Sequence, residues 1–163
     1  FDYSFPFLSV DSGLSVDDKK VYPLFKHCLN INKPSLAILG LPFVRIAMPL
    51  FDLQVRFCLE FWSHRQQVPS KEEMIADTNK DLENRHKMGF GNHKTHFLGP
   101  IKTSEYFEEL ALAACIEPLK PVFGLMFDDS LSKFIENYLT FRHYKYRILS
   151  DTEFECVPWN GNN

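Results

Sequence analysis

The sequence predicts an incomplete α/β domain that is mostly helical and has a few strands. The main observation is a strand–loop–helix unit: the apolar run Leu36–Leu39, bounded by Pro34 and Gly40, is typical of a strand buried in a parallel sheet. Pro49 suits the first turn of the helix that follows, because its missing N–H costs little there. A doubly wound sheet needs several such units, and this chain contains one at most. We therefore expect a fragment of a larger fold.

Composition narrows the class of protein. The 163 residues are 45% hydrophobic and 24% charged, which is typical of a globular chain. The net charge of -3 gives no electrostatic reason to propose nucleic-acid binding. The four cysteines form no C-x-x-C pair, so we expect reduced thiols and no metal site. No apolar stretch approaches the length of about 20 residues that a transmembrane helix needs.

The segments before the central unit read as extended. Residues 1–10 are apolar and aromatic, and Pro6 favours an edge strand or an extended segment over a central strand. A turn is predicted at Asp11–Gly13. Val21–Asn32 is predicted to be a second extended region, interrupted by Pro23.

Helices dominate the sequence after the central unit. Its own helix has apolar residues at helical spacing: Leu50, Leu53, Phe57 and Phe61. A second helix is predicted from Ser70, which has capping-box spacing to Glu73, to about Lys87. Thr103 is predicted to cap a third helix that ends near Ile116.

The last part of the chain predicts a helix and a strand pair. Apolar residues over Asp128–Arg142 follow the spacing i, i+3, i+4, i+7, i+8. Tyr144–Leu149 alternates as a half-buried strand does, and Phe154–Val157 is predicted to pair with it.

One loop is the candidate ligand site. In open α/β sheets, ligands bind at the carboxyl ends of strands and near helix N-termini. The loop Gly40–Pro49 combines both features. Glycine at its start allows the backbone to approach a ligand closely. The alternative is an ordinary turn between a strand and a helix, which has the same sequence pattern.

Six segments carry a resemblance as a set, and each would be weak alone. They are Tyr3–Leu8 (YSFPFL), Tyr22–His27 (YPLFKH), Leu36–Pro42 (LAILGLP), Phe51–Phe57 (FDLQVRF), Val68–Met74 (VPSKEEM) and Tyr106–Pro118 (YFEELALAACIEP). This set resembles the C-terminal part of a flavin-containing monooxygenase of the dimethylaniline N-oxygenase type, particularly its insect-like branch. The resemblance covers roughly residues 1–120 and becomes vague beyond about residue 125.

The resemblance implies the C-terminal fragment of a flavoprotein with two dinucleotide-binding domains. In that family an NADPH-binding domain interrupts the FAD-binding domain. Residues 1–65 would be the returning end of the FAD-binding domain, and residues 66–163 a C-terminal helical extension. Both GxGxxG fingerprints and the family's FxGxxxH motif are absent from this sequence. Without those phosphate cradles, the chain is expected to be inactive alone.

The resemblance also assigns site residues. Gly40, Leu41 and Pro42 resemble the segment that approaches the flavin ring. Gln54 would hydrogen-bond to the flavin or to the edge of the substrate pocket; the equal alternative is a satisfied polar residue at a seam between helix and domain. No catalytic side chain is assigned, because a flavin hydroperoxide performs the oxidation in this family.

Other polar residues are given structural interpretations. Arg56 is interpreted as an ion-pair partner and Asp52 as a charge that complements the helix dipole. His27 is interpreted as a surface or interface residue. The spacing His93-x-x-His96 lacks a suitable third ligand, so no metal site is assigned.

The functional expectation follows from the family. It is N- or S-oxygenation of a small, soft nitrogen or sulfur nucleophile with FAD, NADPH and oxygen, a reaction of xenobiotic metabolism. A homodimer is compatible with it, and the expected location is the cytoplasm or the periphery of the endoplasmic reticulum. The alternative from another class is a non-catalytic helical module that binds a partner or a full-length subunit.

Overall fold

The computed structural model describes residues 3–17, 19–42 and 47–159. It divides into two compact units, Phe1–Pro118 (unit 1) and Leu119–Asn163 (unit 2). The predicted boundary between residues 65 and 66 concerns the domains of a larger flavoprotein, and it stays a prediction.

Short antiparallel strand pairs begin unit 1. β1 (Ser15–Asp17) pairs with β2 (Lys20–Tyr22), and β3 (Leu24–Phe25) pairs with β4 (Leu29–Asn30). The predicted extended region is therefore present, and its interruption at Pro23 is confirmed. The turn around Gly13 is confirmed too: it follows a 3-10 turn and has a φ of 72°.

Of the two alternatives for residues 1–10, the edge strand is wrong for the residues that are described, whereas Tyr3 and Phe5 pack against a small core as the other alternative expects. Residues 3–9 contain a turn, closed by a hydrogen bond of 3.0 Å from the N–H of Leu8 to the carbonyl of Phe5. Pro6 lies inside this turn, where its fixed φ and missing N–H are tolerated.

The buried parallel strand predicted at Leu36–Leu39 is also wrong for this chain. Only Ala37 pairs, in a single antiparallel bridge to Leu29, and Leu39 is 42% exposed. The N–H of Ile38 donates to the carbonyl of Cys28 at 2.8 Å. A parallel strand needs neighbours on both sides, and the described part of the chain supplies one short antiparallel partner.

The first helix of unit 1 confirms the predicted burial pattern. α1 (Ala47–Trp62) buries six residues: Leu50, Leu53, Gln54, Phe57, Cys58 and Phe61. This face packs against α3 (Gly99–Ala114).

The second helix confirms its predicted cap. α2 (Lys71–Lys87) has Ser70 as N-cap, and the capping box with Glu73 is complete in both directions. Among its apolar residues Met74 is buried and Ile75 is exposed, so the buried stripe is narrow as expected. α2 contacts β3.

The predicted start of α3 is wrong. The helix begins at Gly99 with Pro100 in its first turn, so Thr103 lies inside it rather than capping it. Its end at Ala114 lies close to the predicted end, and Cys115 follows in the left-handed region with a φ of 52°.

Unit 2 contains α4 (Pro121–Glu136) and a hairpin of β5 (Tyr144–Ile148) and β6 (Phe154–Pro158). The predicted pairing of the two strands is confirmed. The predicted helix Asp128–Arg142 is placed too late in the sequence. Pro121 opens the helix, because proline is favoured in a first turn, and Asn137 already has extended backbone with a φ of -154°.

Within the described residues, none of the helices has both the length and the apolar character required to cross a membrane. All four cysteines are free thiols, as expected.

Candidate functional site

The Gly40 turn begins the predicted ligand loop. Gly40 has a φ of +79°, and a Cβ added there would lie 2.4 Å from Cε1 of Phe51. Only glycine fits both the backbone conformation and the approach of that ring. Leu41 is buried in a small core with Val21, and Pro42 is buried beside it. Residues 43–46 of the predicted loop lie outside the described residues.

Gln54 lies directly behind this turn and is completely buried. Its Oε1 accepts the N–H of Gly40 at 2.8 Å. Its Nε2 donates to the hydroxyl of Tyr106, also at 2.8 Å. The hydroxyl in turn donates to the carbonyl of Lys26 at 2.6 Å. Gln54 therefore links α1 to both the turn and α3.

Lys26 and His27 form a left-handed turn, with φ values of 48° and 56°. The ammonium of Lys26 contacts Asp77 on α2 and Glu109 on α3, each at 2.9 Å. Burial alone would lower the pKa of Lys26, but the hydrogen bonds to the two carboxylates outweigh it and raise that pKa. This turn ties the two helices to the strand region.

A buried pair of histidines lies next to the turn. The N–H of Val21 donates to Nε2 of His96 at 3.1 Å, so that nitrogen carries no proton. Nδ1 of His96 therefore carries the hydrogen and donates to Nδ1 of His27, at 3.1 Å. Nε2 of His27 then carries a hydrogen that faces Oδ2 of Asp81 at 3.3 Å. Nη2 of Arg85 lies 3.1 Å from the same nitrogen, and because both atoms are donors in this tautomer, that approach is a contact and not a hydrogen bond. The fixed backbone donor thus sets the tautomers of both rings.

Burial and charge keep this pair neutral. Burial lowers the pKa of His27. Burial also lowers the pKa of His96 to about 3, together with the repulsion that His27 would exert if protonated and the positive charge of Arg85. Burial would raise the pKa of Asp81, but its contacts with His27 and Arg85 hold that pKa well below the usual value. Arg85 is itself buried, with Nε 2.6 Å from the Asp81 carboxylate.

The histidine pair predicts a pH dependence of stability. Because the pKa of His96 is about 3 in the folded chain and 6.5 as a free group, stability is complete above pH 6.5 and is lost as the pH falls. Linkage gives a loss of about 2 kcal/mol between about pH 7.5 and about pH 5 for His96 alone. The free energy of unfolding, measured by urea titration across this range, checks the prediction.

A matched pair of variants controls this measurement. His96→Gln keeps an acceptor for the N–H of Val21 but does not titrate, so its stability should vary less with pH. His93→Gln, at an exposed position in the same loop, should retain the wild-type dependence. Equal pH profiles for all three proteins would contradict the assignment.

The predicted site residues are thus partly brought together. Gly40 and Gln54 are in direct contact, while Leu41 and Pro42 are buried against the core. Arg56 forms the expected ion pair, at 2.9 Å from Asp52. Within the described residues, no cluster of three or more potential ligands could hold a metal ion.

Sequence reasoning missed the residues that support the site from other elements. His27 is buried and hydrogen-bonded, so its interpretation as a surface or interface residue is wrong. No role is assigned to Tyr106 from the sequence, whereas its hydroxyl joins two segments of unit 1. Lys26 and His27 are distant from Tyr106 in the sequence, and no local pattern connects them.

The outer face of α1 carries a second apolar surface, which we call the α1 stripe. Its residues recur every three or four positions and are between 38% and 74% exposed: Met48, Phe51, Val55, Leu59 and Trp62. A helix that is apolar on both faces is normally buried on both. The α1 stripe is therefore typical of a surface that another part of a larger protein covers.

The family model described as flavin-binding monooxygenase-like matches residues 1–157. The chain belongs to this family. The match extends well beyond residue 120, so the family relationship covers the α4 region as well as unit 1.

Individual relatives are similar over most of this chain. Senecionine N-oxygenase of Tyria jacobaeae is 30% identical over 158 residues, which are 95% of this chain and 34% of that protein. Flavin-containing monooxygenase FMO GS-OX3 of Arabidopsis thaliana is 30% identical over 87% of this chain and 31% of its own length.

A solved structure supports the same conclusion. S-allyl-L-cysteine S-oxygenase from Allium sativum superposes with a TM-score of 0.74 at 28% identity, over 87% of this chain and 32% of that one. The chain thus spans about a third of the length of the relatives it matches. The expected fold class, a fragment of a larger flavoprotein fold with mostly helices and a few strands, is confirmed.

Proposed function

We propose that this chain forms one wall of the flavin pocket in an FAD- and NADPH-dependent monooxygenase that oxygenates soft nitrogen or sulfur nucleophiles. The observation that carries the proposal is the Gly40 turn, whose backbone lies so close to the ring of Phe51 on α1 that any side chain there would clash. Family membership supports the coarser function, and relatives named as N-oxygenase and S-oxygenase support the substrate class.

The residues fit a planar flavin ring but not a complete cofactor. Gly40 would allow the backbone to approach the ring, and Leu41 and Pro42, buried against the core, would hold the turn in place. Bound FAD would supply the oxygen-activating chemistry. The sequence lacks the glycine-rich phosphate cradles, so the phosphates and NADPH would be held by other parts of the full-length protein.

Gln54 has an indirect role in this proposal. Both ends of its amide form hydrogen bonds within the chain. Gln54 would therefore influence the flavin only indirectly, by fixing the Gly40 turn. We further propose that residues 1–65 complete the FAD-binding domain and that residues 66–163 extend it with helices.

The chain alone is expected to remain colourless. Because it supplies one wall of the pocket and no phosphate cradle, it should retain no FAD after incubation and gel filtration. The flavin absorbance of the protein peak measures this. Stoichiometric flavin in that peak would contradict the proposal that the other walls lie elsewhere.

The full-length polypeptide that contains this chain tests the proposal itself. It should oxidise NADPH and consume oxygen when given a tertiary amine or a thioether, and product analysis should show the N- or S-oxide. Hydrogen–deuterium exchange with and without FAD should show protection of the amides of Gly40 and Leu41. Unchanged exchange at these amides would remove them from the flavin wall.

A non-catalytic interaction module is the second candidate, and the α1 stripe favours it, because such a surface suits association with another polypeptide. A homodimer would be one form of that association. Sedimentation of the chain alone measures self-association. Activity of the full-length enzyme would favour the monooxygenase proposal over the interaction module.

A further inference from the structure

We propose that Tyr106 is a positioning residue for the flavin wall, acting through Gln54 on the backbone of Gly40. This inference rests on the proposed function and extends the site to α3. Its basis is an unbroken series of hydrogen bonds: carbonyl of Lys26, hydroxyl of Tyr106, amide of Gln54, N–H of Gly40.

The direction of each hydrogen bond follows from donor counting. The carbonyl of Lys26 can only accept, so the single hydrogen of the Tyr106 hydroxyl is used there, at 2.6 Å. The hydroxyl oxygen must then accept from Gln54, which requires the NH₂ end of the amide to face Tyr106. The oxygen end consequently faces the N–H of Gly40. Tyr106 and Gly40 thus favour the same orientation of the amide, and Tyr106 holds its NH₂ end in place.

The hydroxyl is held rigidly enough to act in this way. Tyr106 is buried, and its ring packs edge-on against the ring of His27, with centroids 5.7 Å apart. Burial also raises the pKa of Tyr106 well above its usual value, so the hydroxyl keeps its hydrogen. Lys26 is fixed by its ion pairs to α2 and α3, so the acceptor at the far end of the series is fixed too.

Loss of the Tyr106 hydroxyl would affect the hydrogen bond between the amide of Gln54 and the N–H of Gly40. Without the hydroxyl, the NH₂ group of Gln54 loses its acceptor and the carbonyl of Lys26 loses its donor, while the N–H of Gly40 still requires the oxygen end of the amide. The NH₂ group would move toward the free carbonyl, and the hydrogen bond from Gly40 to the amide oxygen would lengthen unless the turn shifted with it. Core contacts of Leu41 hold the following residue, so the shift would be concentrated at Gly40.

Tyr106→Phe in the full-length flavoprotein tests the inference, because it keeps the ring and removes only the hydroxyl. We expect the dissociation constant for FAD to rise about tenfold, the equivalent of one lost hydrogen bond. We also expect a changed visible circular dichroism spectrum of the bound flavin and a larger share of NADPH oxidation released as hydrogen peroxide.

Two control variants separate positioning from stability. Leu110→Val removes one buried methylene from the same helix without touching the series, so it should lower Tm and leave FAD affinity and coupling unchanged. Tyr146→Phe deletes a hydrogen-bonded hydroxyl in unit 2 and should leave flavin affinity unchanged.

Failure of the inference about Tyr106 and failure of the proposed flavin wall give different results. If Tyr106→Phe lowers Tm as Leu110→Val does but keeps the wild-type FAD affinity, spectrum and coupling, Tyr106 is purely structural and the inference is overturned. If FAD does not protect the amides of Gly40 and Leu41 in the wild-type protein, the flavin wall itself fails. Protection in the wild type together with weaker protection and affinity in Tyr106→Phe supports both.

Discussion

Gln54→Glu is expected to destabilise the chain by about 4 kcal/mol at neutral pH, and by much less in acid. The introduced carboxyl group would be completely buried, and burial raises the pKa of such groups by about 3 units or more. Three units correspond to about 4 kcal/mol. The ionised group can accept the N–H of Gly40, but its other oxygen would compete with the carbonyl of Lys26 for the single hydrogen of Tyr106.

The sign of the pH dependence follows from the neutral form. A protonated carboxyl group can accept from Gly40 and donate to Tyr106, as the native amide does. Because the folded pKa is raised above the unfolded value of about 4.3, the variant approaches wild-type stability below that pH and loses it as the pH rises through the folded pKa.

Urea titrations of wild type and variant at matched pH values check this prediction. Comparison at the same pH cancels the loss of stability from the histidine pair. Gln67→Glu makes the same change at an exposed position and should be almost neutral at every pH. A deficit of Gln54→Glu that did not vary with pH would show that the side chain is not held in the observed hydrogen bonds.

Gly40→Ala should cost about 2–4 kcal/mol. The left-handed conformation accounts for about 1–2 kcal/mol of this cost. Displacing the ring of Phe51, whose Cε1 would lie 2.4 Å from the new Cβ, accounts for the rest. In the full-length protein the same substitution should reduce FAD retention, because relieving the clash with Phe51 would displace the backbone of the Gly40 turn.

Two variants separate these contributions. Gly89 also has a positive φ, of +81°, but an added Cβ there would meet nothing within 4 Å, so Gly89→Ala should carry the dihedral cost alone. Truncating Phe51 to alanine in the Gly40→Ala background should recover the packing part. Equal losses for Gly40→Ala and Gly89→Ala would show that the contact with Phe51 is unimportant.

Local signals in the sequence were sufficient for several elements. The capping box at Ser70, the apolar face of α1 and the β5–β6 hairpin are each encoded within one or two turns of chain, so they were predicted correctly. Gly40 was recognised as a special position for the same reason. Gly40 ends an apolar run, which is visible in the sequence, and its positive φ shows that the chain turns there; its role at the flavin stays a prediction.

The predictions were wrong or incomplete where the structure depends on contacts between residues that are distant in the sequence. Leu36–Leu39 has the composition of a buried strand but lacks neighbours within the described chain. The start of α4 at Pro121 was not predicted, because a proline can follow the end of one helix or begin the next, and only the neighbouring structure decides. The roles of His27 and Tyr106 depend on contacts between separate elements, which periodicity does not contain.

The α1 stripe has a consequence for the fate of this polypeptide in a cell. Molecular chaperones and quality-control proteases recognise exposed apolar side chains, and the stripe presents five of them along one helix. A polypeptide in which this surface stays uncovered would be held by chaperones or degraded. Only molecules in which another part of the protein covers the α1 stripe would therefore accumulate.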